Sequence, residues 1–178
     1  MKLLLNIDGS ACILLALLCL TVPLNWLLAA VLAAAVHEAG HVLAVCLQGG
    51  RIRRLDIGLF GAVLESTKME PLKQLVSVLA GPAGSLFLVL LARWIPRTAV
   101  CALFHGLFNL IPAEPLDGGR ALRCLCSLFL DEARVERICI WTRRGIGFLL
   151  LGMLVCAGIR TGPGVILPVF LVVRLCME

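Results

Sequence analysis

Two histidines and a glutamate stand close together in the string His37-Glu38-Ala39-Gly40-His41. On a helix, His37 and His41 project from one face, where their ring nitrogens can bind one metal ion. Glu38 stands beside them and can take a proton from a water molecule that the metal activates. HExxH strings also arise by chance, but this one predicts a hydrolytic zinc centre.

The string lies inside a strongly apolar segment, Leu24–Gln48. Imidazole and carboxylate groups are costly inside a membrane unless they face a cavity or a ligand. A polar seam between packed helices is the alternative explanation, and this cost argues against it. We therefore expect the histidines and Glu38 to be functional.

A second polar segment, Asn109–Arg120, interrupts a later apolar run. Pro112 and Pro115 stop the helix there, and Gly118-Gly119 permits a tight turn that can present Asp117. A catalytic zinc takes three protein ligands and keeps a fourth position open. Irregular backbone at membrane depth is tolerated only where it is buried in protein or lines a wet cavity. Asp117 is therefore the expected third ligand.

The composition sets the class of protein in which these motifs stand. The 178 residues are 61% hydrophobic and 15% charged, with a net charge of +5. Soluble domains average about half apolar and about a quarter charged residues, so a soluble enzyme, a disordered chain and a nucleic-acid binder are disfavoured. Lysines and arginines in so apolar a chain mark the cytoplasmic ends of membrane helices. The nine cysteines lie mostly in apolar runs, and we expect them to be reduced.

The hydrophobic runs predict an all-α polytopic membrane protein of about six transmembrane helices, one of them broken at the Leu-Asp-Gly-Gly motif. The runs are Ala11–Val22 (with a start as early as Leu3), Leu24–Gln48, Leu72–Ala92, Thr98–Pro112 resuming over Arg120–Leu130, Gly145–Ile159 and Val165–Leu175. Six spans with both termini in the cytoplasm place most basic residues inside. Five spans, with the first run merged or cleaved, are the main alternative.

A mixed segment after the second run predicts a small β structure at the membrane surface. Ile52–Leu59 partly alternates and Gly61–Glu65 follows closely, which is typical of a short hairpin or an edge strand. Such a strand could pair with an extended substrate. We expect one transmembrane domain over residues 1–178, with a catalytic core at about 24–130 and no PDZ-like or CBS-like domain.

These motifs together resemble the site-2 proteases, the intramembrane zinc metalloproteases, and within them the compact bacterial branch that includes a sporulation factor processing a sigma-factor precursor. The resemblance rests on the HExxH string, on Ala80-Gly81-Pro82 and on Asn109–Arg120. It implies that His37, His41 and Asp117 bind one zinc ion and that Glu38 is the catalytic base. It also implies that Asn109 positions the substrate or polarises its carbonyl group.

The resemblance implies hydrolysis of a peptide bond in or near the membrane segment of a protein substrate, such as a membrane-associated transcription-factor precursor. A regulatory membrane partner and a multi-pass location in a bacterial cytoplasmic or sporulation-related membrane go with it. A non-catalytic zinc-binding scaffold derived from a protease is the alternative function, and a metal transporter is a third.

Three further residues bear on the site. The family often has an asparagine where this chain has Ser85, which argues against a substrate-contacting amide on the third span and leaves the metal site untouched. His105 lies one turn before Asn109 and is either a satisfied membrane histidine or a proton donor or ligand. Glu114 could compete for the metal, but we expect it to be solvated or paired with Arg120.

Overall fold

The computed structural model describes residues 4–7, 9, 16, 18–58, 61–67 and 69–161. The chain divides into two compact units, Met1–Leu110 and Ile111–Glu178. It is mostly helical, as predicted. The described part of the first unit has a small sheet and three long helices, and that of the second has two helices. Half of the first predicted span, Ala11–Val22, and all of the last, Val165–Leu175, lie outside the described residues.

The sheet of the first unit has the strand order β1-β2-β3, with β1 at Leu4–Ile7, β2 at Ile52–Gly58 and β3 at Gly61–Ser66. Strands β2 and β3 pair antiparallel, with Leu55 opposite Leu64, where the sequence alternates. Strand β1 pairs with β2 in parallel. The predicted hairpin is therefore present, with β3 at the edge of the sheet. The early start of the first span at Leu3 was wrong, because Leu4–Ile7 is a strand.

Proline and glycine set the bounds of the three helices of the first unit, which are α1 (Leu24–Leu47), α2 (Pro71–Leu90) and α3 (Pro96–Asn109). Pro71 and Pro96 stand at helix starts, where the missing N–H costs nothing. Helix α1 follows Pro23 and ends before Gly49, whose φ of 75° is the left-handed conformation that glycine adopts most easily.

Small residues bring α1 and α2 into close contact. A Cβ built on Gly40 would lie 2.5 Å from the carbonyl oxygen of Ala80, and one built on Gly84 would lie 3.1 Å from that of Val36. Side chains at these glycines would push the helices apart, so the backbones approach as glycine-containing membrane helices do. Pro82 lies inside α2 and is itself buried.

Helices α1 and α2 are long and apolar enough to cross a membrane, and they are the two such helices found in the described part of the chain. Only 22% of the most apolar window of α1, and 33% of that of α2, is buried. A core helix of a soluble protein would be mostly buried, so these outward apolar faces suit lipid better than water. Helix α3, with 14 residues, is about 21 Å long and shorter than a straight span.

The second unit contains α4 (Asp117–Ser127) and α5 (Glu132–Thr161). The predicted run Gly145–Ile159 is only the second half of α5, because the charged first half contains no proline and continues in the same helix. Helix α4 starts at Asp117 and not at Arg120, so the Gly118-Gly119 pair lies in its first turn.

Candidate metal centre

Both histidines of the HExxH string lie on the buried face of α1. The buried positions Ala29, Ala33, His37, His41 and Val45 follow one another at intervals of four residues, which on a helix makes a single stripe. His37 is 1% exposed and His41 is 8% exposed. The prediction that the two imidazoles share one face of a helix is therefore met, and that face is covered by protein.

The two imidazoles direct their Nε2 atoms to the same place beside Gly81 of α2. A Cβ built on Gly81 would overlap Nε2 of His41 and would lie 2.8 Å from Nε2 of His37. Two imidazole nitrogens that converge in a buried position are a donor set that suits zinc. Gly81 thus keeps open the space that a metal ion and its ligands need.

The other ring nitrogens of these histidines are held by α2. Nδ1 of His41 lies 2.9 Å from the backbone carbonyl oxygen of Ser77, and Nδ1 of His37 lies 2.8 Å from Oγ of Ser85. Metal-binding histidines are usually oriented by such hydrogen bonds from the ring nitrogen that does not bind the metal. Both histidines therefore fit a metal bound through Nε2.

Ser85 corrects an expectation from the sequence. It was expected to leave the metal site untouched, but its hydroxyl group contacts His37 directly, and its side chain is 1% exposed. The sequence contains a signal for this contact, since Ser77, Gly81 and Ser85 recur every four residues and therefore share one face of α2.

Glu38 and His105 form a polar group with His37. One ligand atom from each of the three residues lies within 4.8 Å of the other two. The rings of His37 and His105 meet edge to face, with centroids 4.6 Å apart. His105 of α3 therefore lies against the predicted centre.

Asn109 is the last residue of α3, one turn after His105. Its Nδ2 donates a hydrogen bond of 3.1 Å to the backbone carbonyl oxygen of His105. One of its two amide hydrogens is thus used within the helix. The side chain remains partly exposed.

In the second unit, Asp117 is the first residue of α4, and its neighbours Gly118 and Gly119 are buried with it. A Cβ built on Gly119 would overlap the backbone of Ala113 and Glu114. The first turn of α4 therefore packs directly on the loop before it, which fixes where Asp117 stands. The glycine pair was predicted to form a tight turn, and this was wrong: the pair lies in the first turn of a helix, where the missing side chains permit the close packing.

Glu114 is paired, but with a different arginine from the one expected. Arg123 donates to both carboxylate oxygens of Glu114, at 2.5 and 2.9 Å, and it also contacts Glu136 of α5 at 2.8 Å. Arg123 can bind both glutamates because α4 starts early and projects Arg123 between the loop and α5. The prediction that Glu114 forms an ion pair was therefore correct, but the predicted partner, Arg120, was wrong.

A family model described as Peptidase M50B-like matches residues 10–113, which is more than half of the chain. The chain belongs to this family. The match contains the HExxH string and the whole of α2 and α3, and it stops shortly before Asp117. The matched residues of this M50B-like chain therefore include the two histidines and Gly81, against which their Nε2 atoms lie.

The M50B-like chain is similar in sequence to two named bacterial proteins. It is 34% identical over 128 residues to a Synechocystis protein with the provisional name zinc metalloprotease sll0528, covering 63% of this chain and 34% of that protein. It is 32% identical over 133 residues to stage IV sporulation protein FB of Bacillus subtilis, covering 67% of this chain and 46% of that protein. The chain thus spans between a third and half of the length of these curated relatives.

The fold is also similar to a solved structure, the site-2 protease from Methanocaldococcus jannaschii. The TM-score is 0.70 at 19% sequence identity, over 99% of this chain and 89% of the other. At this identity the likeness concerns the fold alone. The family model and the relatives confirm the recognition of the site-2 protease family and its sporulation-type branch, and the solved structure agrees with them in fold.

Proposed function

We propose that this chain is an intramembrane zinc metalloprotease that hydrolyses a peptide bond in or near the membrane segment of a protein substrate. One observation carries the proposal: the Nε2 atoms of His37 and His41 converge beside Gly81 on a buried face of an apolar helix. Two imidazole groups in an apolar environment are energetically costly unless they bind a ligand. The proteases to which the chain is similar support a hydrolytic use.

We assign three zinc ligands, His37, His41 and Asp117, with one zinc ion per chain. The two histidines supply neutral nitrogen donors, and Asp117 supplies a carboxylate, which together match the three-ligand set of hydrolytic zinc sites. Bound zinc supplies a Lewis acid that polarises a carbonyl group and lowers the pKa of water toward about 7. The buried start of α4, packed on its preceding loop, supports a fixed position for Asp117.

We assign Glu38 as the general base. Its carboxylate lies within 4.8 Å of a ligand atom of His37, so it is near the water that would attack the substrate. A carboxylate in this position takes a proton from water and later delivers it to the leaving amine, because the amine is expelled only when protonated. Asn109 is assigned to the substrate through its second amide hydrogen and its Oδ1 atom.

We propose six transmembrane helices with both termini in the cytoplasm. The apolar outer faces of α1 and α2 support membrane insertion, and the bias of basic residues supports the orientation. In this arrangement the segment Arg51–Lys73, with its hairpin, and the start of α5 lie in the cytoplasm. The turn between α2 and α3, with Arg93 and Arg97, lies outside.

The substrate that we propose is a membrane-associated precursor of a transcription factor, processed near its membrane segment. The similarity to stage IV sporulation protein FB supports a role in sporulation. The substrate class follows from the resemblance of the motifs to the branch that processes a sigma-factor precursor. A substrate helix must unwind before its carbonyl groups can be attacked, because the helix keeps them hydrogen-bonded. A regulatory membrane partner that controls this access belongs to the same proposal.

The test compares the wild-type chain with Glu38→Gln in membranes, with a panel of tagged membrane-segment substrates that includes a sigma-factor precursor. We expect Glu38→Gln to keep its zinc and to lose cleavage by a factor of about 10² to 10⁴, which is the usual contribution of a general base. Glu132→Gln, an exposed carboxylate in the first turn of α5, is the matched control and should cleave normally.

Two outcomes would contradict the proposal. Zinc in both proteins without cleavage by either would indicate the zinc-binding scaffold, which has no need of Glu38. The absence of zinc from the wild-type chain would show that the assignment of His37, His41 and Asp117 is wrong.

A further inference from the structure

Ser85 and His37 form a buried pair between α2 and α1. Oγ of Ser85 lies 2.8 Å from Nδ1 of His37, and each residue is 1% exposed. They are the largest side chains of the described core that are fully shielded from solvent. A hydrogen bond in such a place has little competition from water, so its direction determines which nitrogen of the neutral ring carries the hydrogen.

The two histidines differ in what holds them. Nδ1 of His41 faces the backbone carbonyl of Ser77, which can only accept, so Nδ1 carries the proton and Nε2 the lone pair. Nδ1 of His37 faces a hydroxyl group, which can either donate or accept. A metal bound at Nε2 of His37 requires Ser85 to accept, because a ring protonated on Nε2 has no lone pair there.

Helix α3 holds Ser85 against His37. A Cβ built on Gly106 would lie 2.9 Å from Cβ of Ser85 and 3.4 Å from its Oγ. The backbone of α3 therefore packs on Ser85, and Gly106 is itself buried. A larger residue at either place would have to displace the other, so the hydroxyl group has little freedom to leave His37.

We propose that Ser85 is a positioning residue, which accepts the Nδ1 proton of His37 and so turns Nε2 of that ring toward the metal. The proposal rests on the proposed function, since it concerns a ligand of the zinc assigned there. It assigns to this chain a hydroxyl group where the family often has an asparagine, which also offers an acceptor oxygen. Ser85 does not touch the substrate, and its effect reaches the reaction through His37 alone.

The experiment measures zinc affinity by chelator competition on the purified full chain in detergent, without any substrate. Ser85→Ala removes the acceptor, and we expect zinc affinity to fall about 10- to 100-fold, which is usual when such a partner is lost. Ser85→Asn would keep an acceptor, but its larger side chain would collide with Gly106. Ser85→Cys is the better conservative variant, because its thiol is similar in size to the hydroxyl group and is a weak acceptor. Its affinity should lie between those of wild type and Ser85→Ala.

Thr98→Val is the matched control, because it removes another buried hydroxyl group, near the start of α3 and about two helical turns before His105. Its zinc affinity should equal that of wild type. The absorption spectrum of the cobalt-substituted protein is the second readout. It should change in Ser85→Ala and stay unchanged in Thr98→Val, since it reports the ligand field and not the stability of the fold.

The outcomes separate this inference from the proposed function. Wild-type protein that binds no zinc would overturn both. Wild-type protein that binds zinc, with Ser85→Ala within twofold of it, would overturn the positioning role alone. If the variants do not fold, nitrogen NMR of ¹⁵N-histidine-labelled wild type decides: a proton on Nδ1 of His37 in the zinc form is expected, and one on Nε2 would overturn the proposal.

Discussion

Arg123 holds Glu114 by both of its carboxylate oxygens. The same guanidinium group contacts Glu136, so one arginine joins the loop before α4 to the start of α5. This arrangement answers a question that the sequence leaves open, because Glu114 is three residues before Asp117 and could have been the metal ligand in its place. A carboxylate with both oxygens in an ion pair is poorly suited to that use.

We predict that Glu114→Gln keeps its zinc and its activity. The pair is partly exposed, with 35% of the Arg123 side chain and 26% of that of Glu114 accessible. Its loss should therefore lower the free energy of unfolding by about 1 kcal/mol or less. Asp117→Asn is the comparison and should lose most of its zinc. A zinc-free Glu114→Gln protein that still folds would reverse the two assignments.

Gly81→Ala should abolish metal binding. The new methyl group would overlap Nε2 of His41 and would stand 2.8 Å from Nε2 of His37, so one ring must turn away from the metal. The measurement is zinc content after purification. Gly145→Ala is the control, since a Cβ there meets nothing within 4 Å and alanine favours a helix by about 1 kcal/mol. Normal zinc content in Gly81→Ala would show that the histidines do not bind metal through Nε2.

Gly119→Ala should destabilise the second unit. Its Cβ would overlap the backbone of Ala113 and Glu114, and backbone cannot move aside as a flexible side chain can. We expect a cost of about 1 to 3 kcal/mol, typical of overpacking, and reduced zinc affinity because Asp117 shifts with its helix turn. Thermal unfolding followed by circular dichroism checks the first effect. Gly152→Ala, which meets nothing within 4 Å, should unfold no earlier than wild type, because alanine is favoured over glycine inside a helix.

The orientation in the membrane can be tested with reporter insertions. A reporter placed at Thr67 should be in the cytoplasm, one at Trp94 should be outside, and one at Asp131 should be in the cytoplasm again. The reason is the excess of basic residues around the first and third positions. A cytoplasmic reporter at Trp94 would exclude the six-span arrangement.

Much of the helical architecture was predictable because local signals determine it. Pro71 and Pro96 start helices, Gly49 follows the end of one, and the HExxH spacing places both histidines on one face. Strand β1 was missed because Leu4–Ile7 reads locally as the beginning of an apolar span. It becomes a strand only by pairing with β2, which lies more than forty residues away in sequence.

The partners of the site residues were less predictable than the residues themselves. Ser85 contacts His37 because of the way α1 and α2 cross, and one sequence does not specify a crossing. Arg123 was missed as the partner of Glu114 because the choice depends on where α4 begins and on Glu136 from the next helix. Both contacts are between elements, where spacing along the chain carries little information.

The close contact of Gly40 with Ala80 limits the routes by which a polypeptide can reach the two histidines. With the carbonyl oxygen of Ala80 only 2.5 Å from where a Cβ of Gly40 would stand, no peptide can pass between α1 and α2 at this level. These helices carry the histidines and their hydrogen-bond partners. The close backbone contact closes the interface between them at the level of Gly40. A polypeptide that reaches Glu38 must therefore enter from another side, and any gate must be built from elements other than this pair.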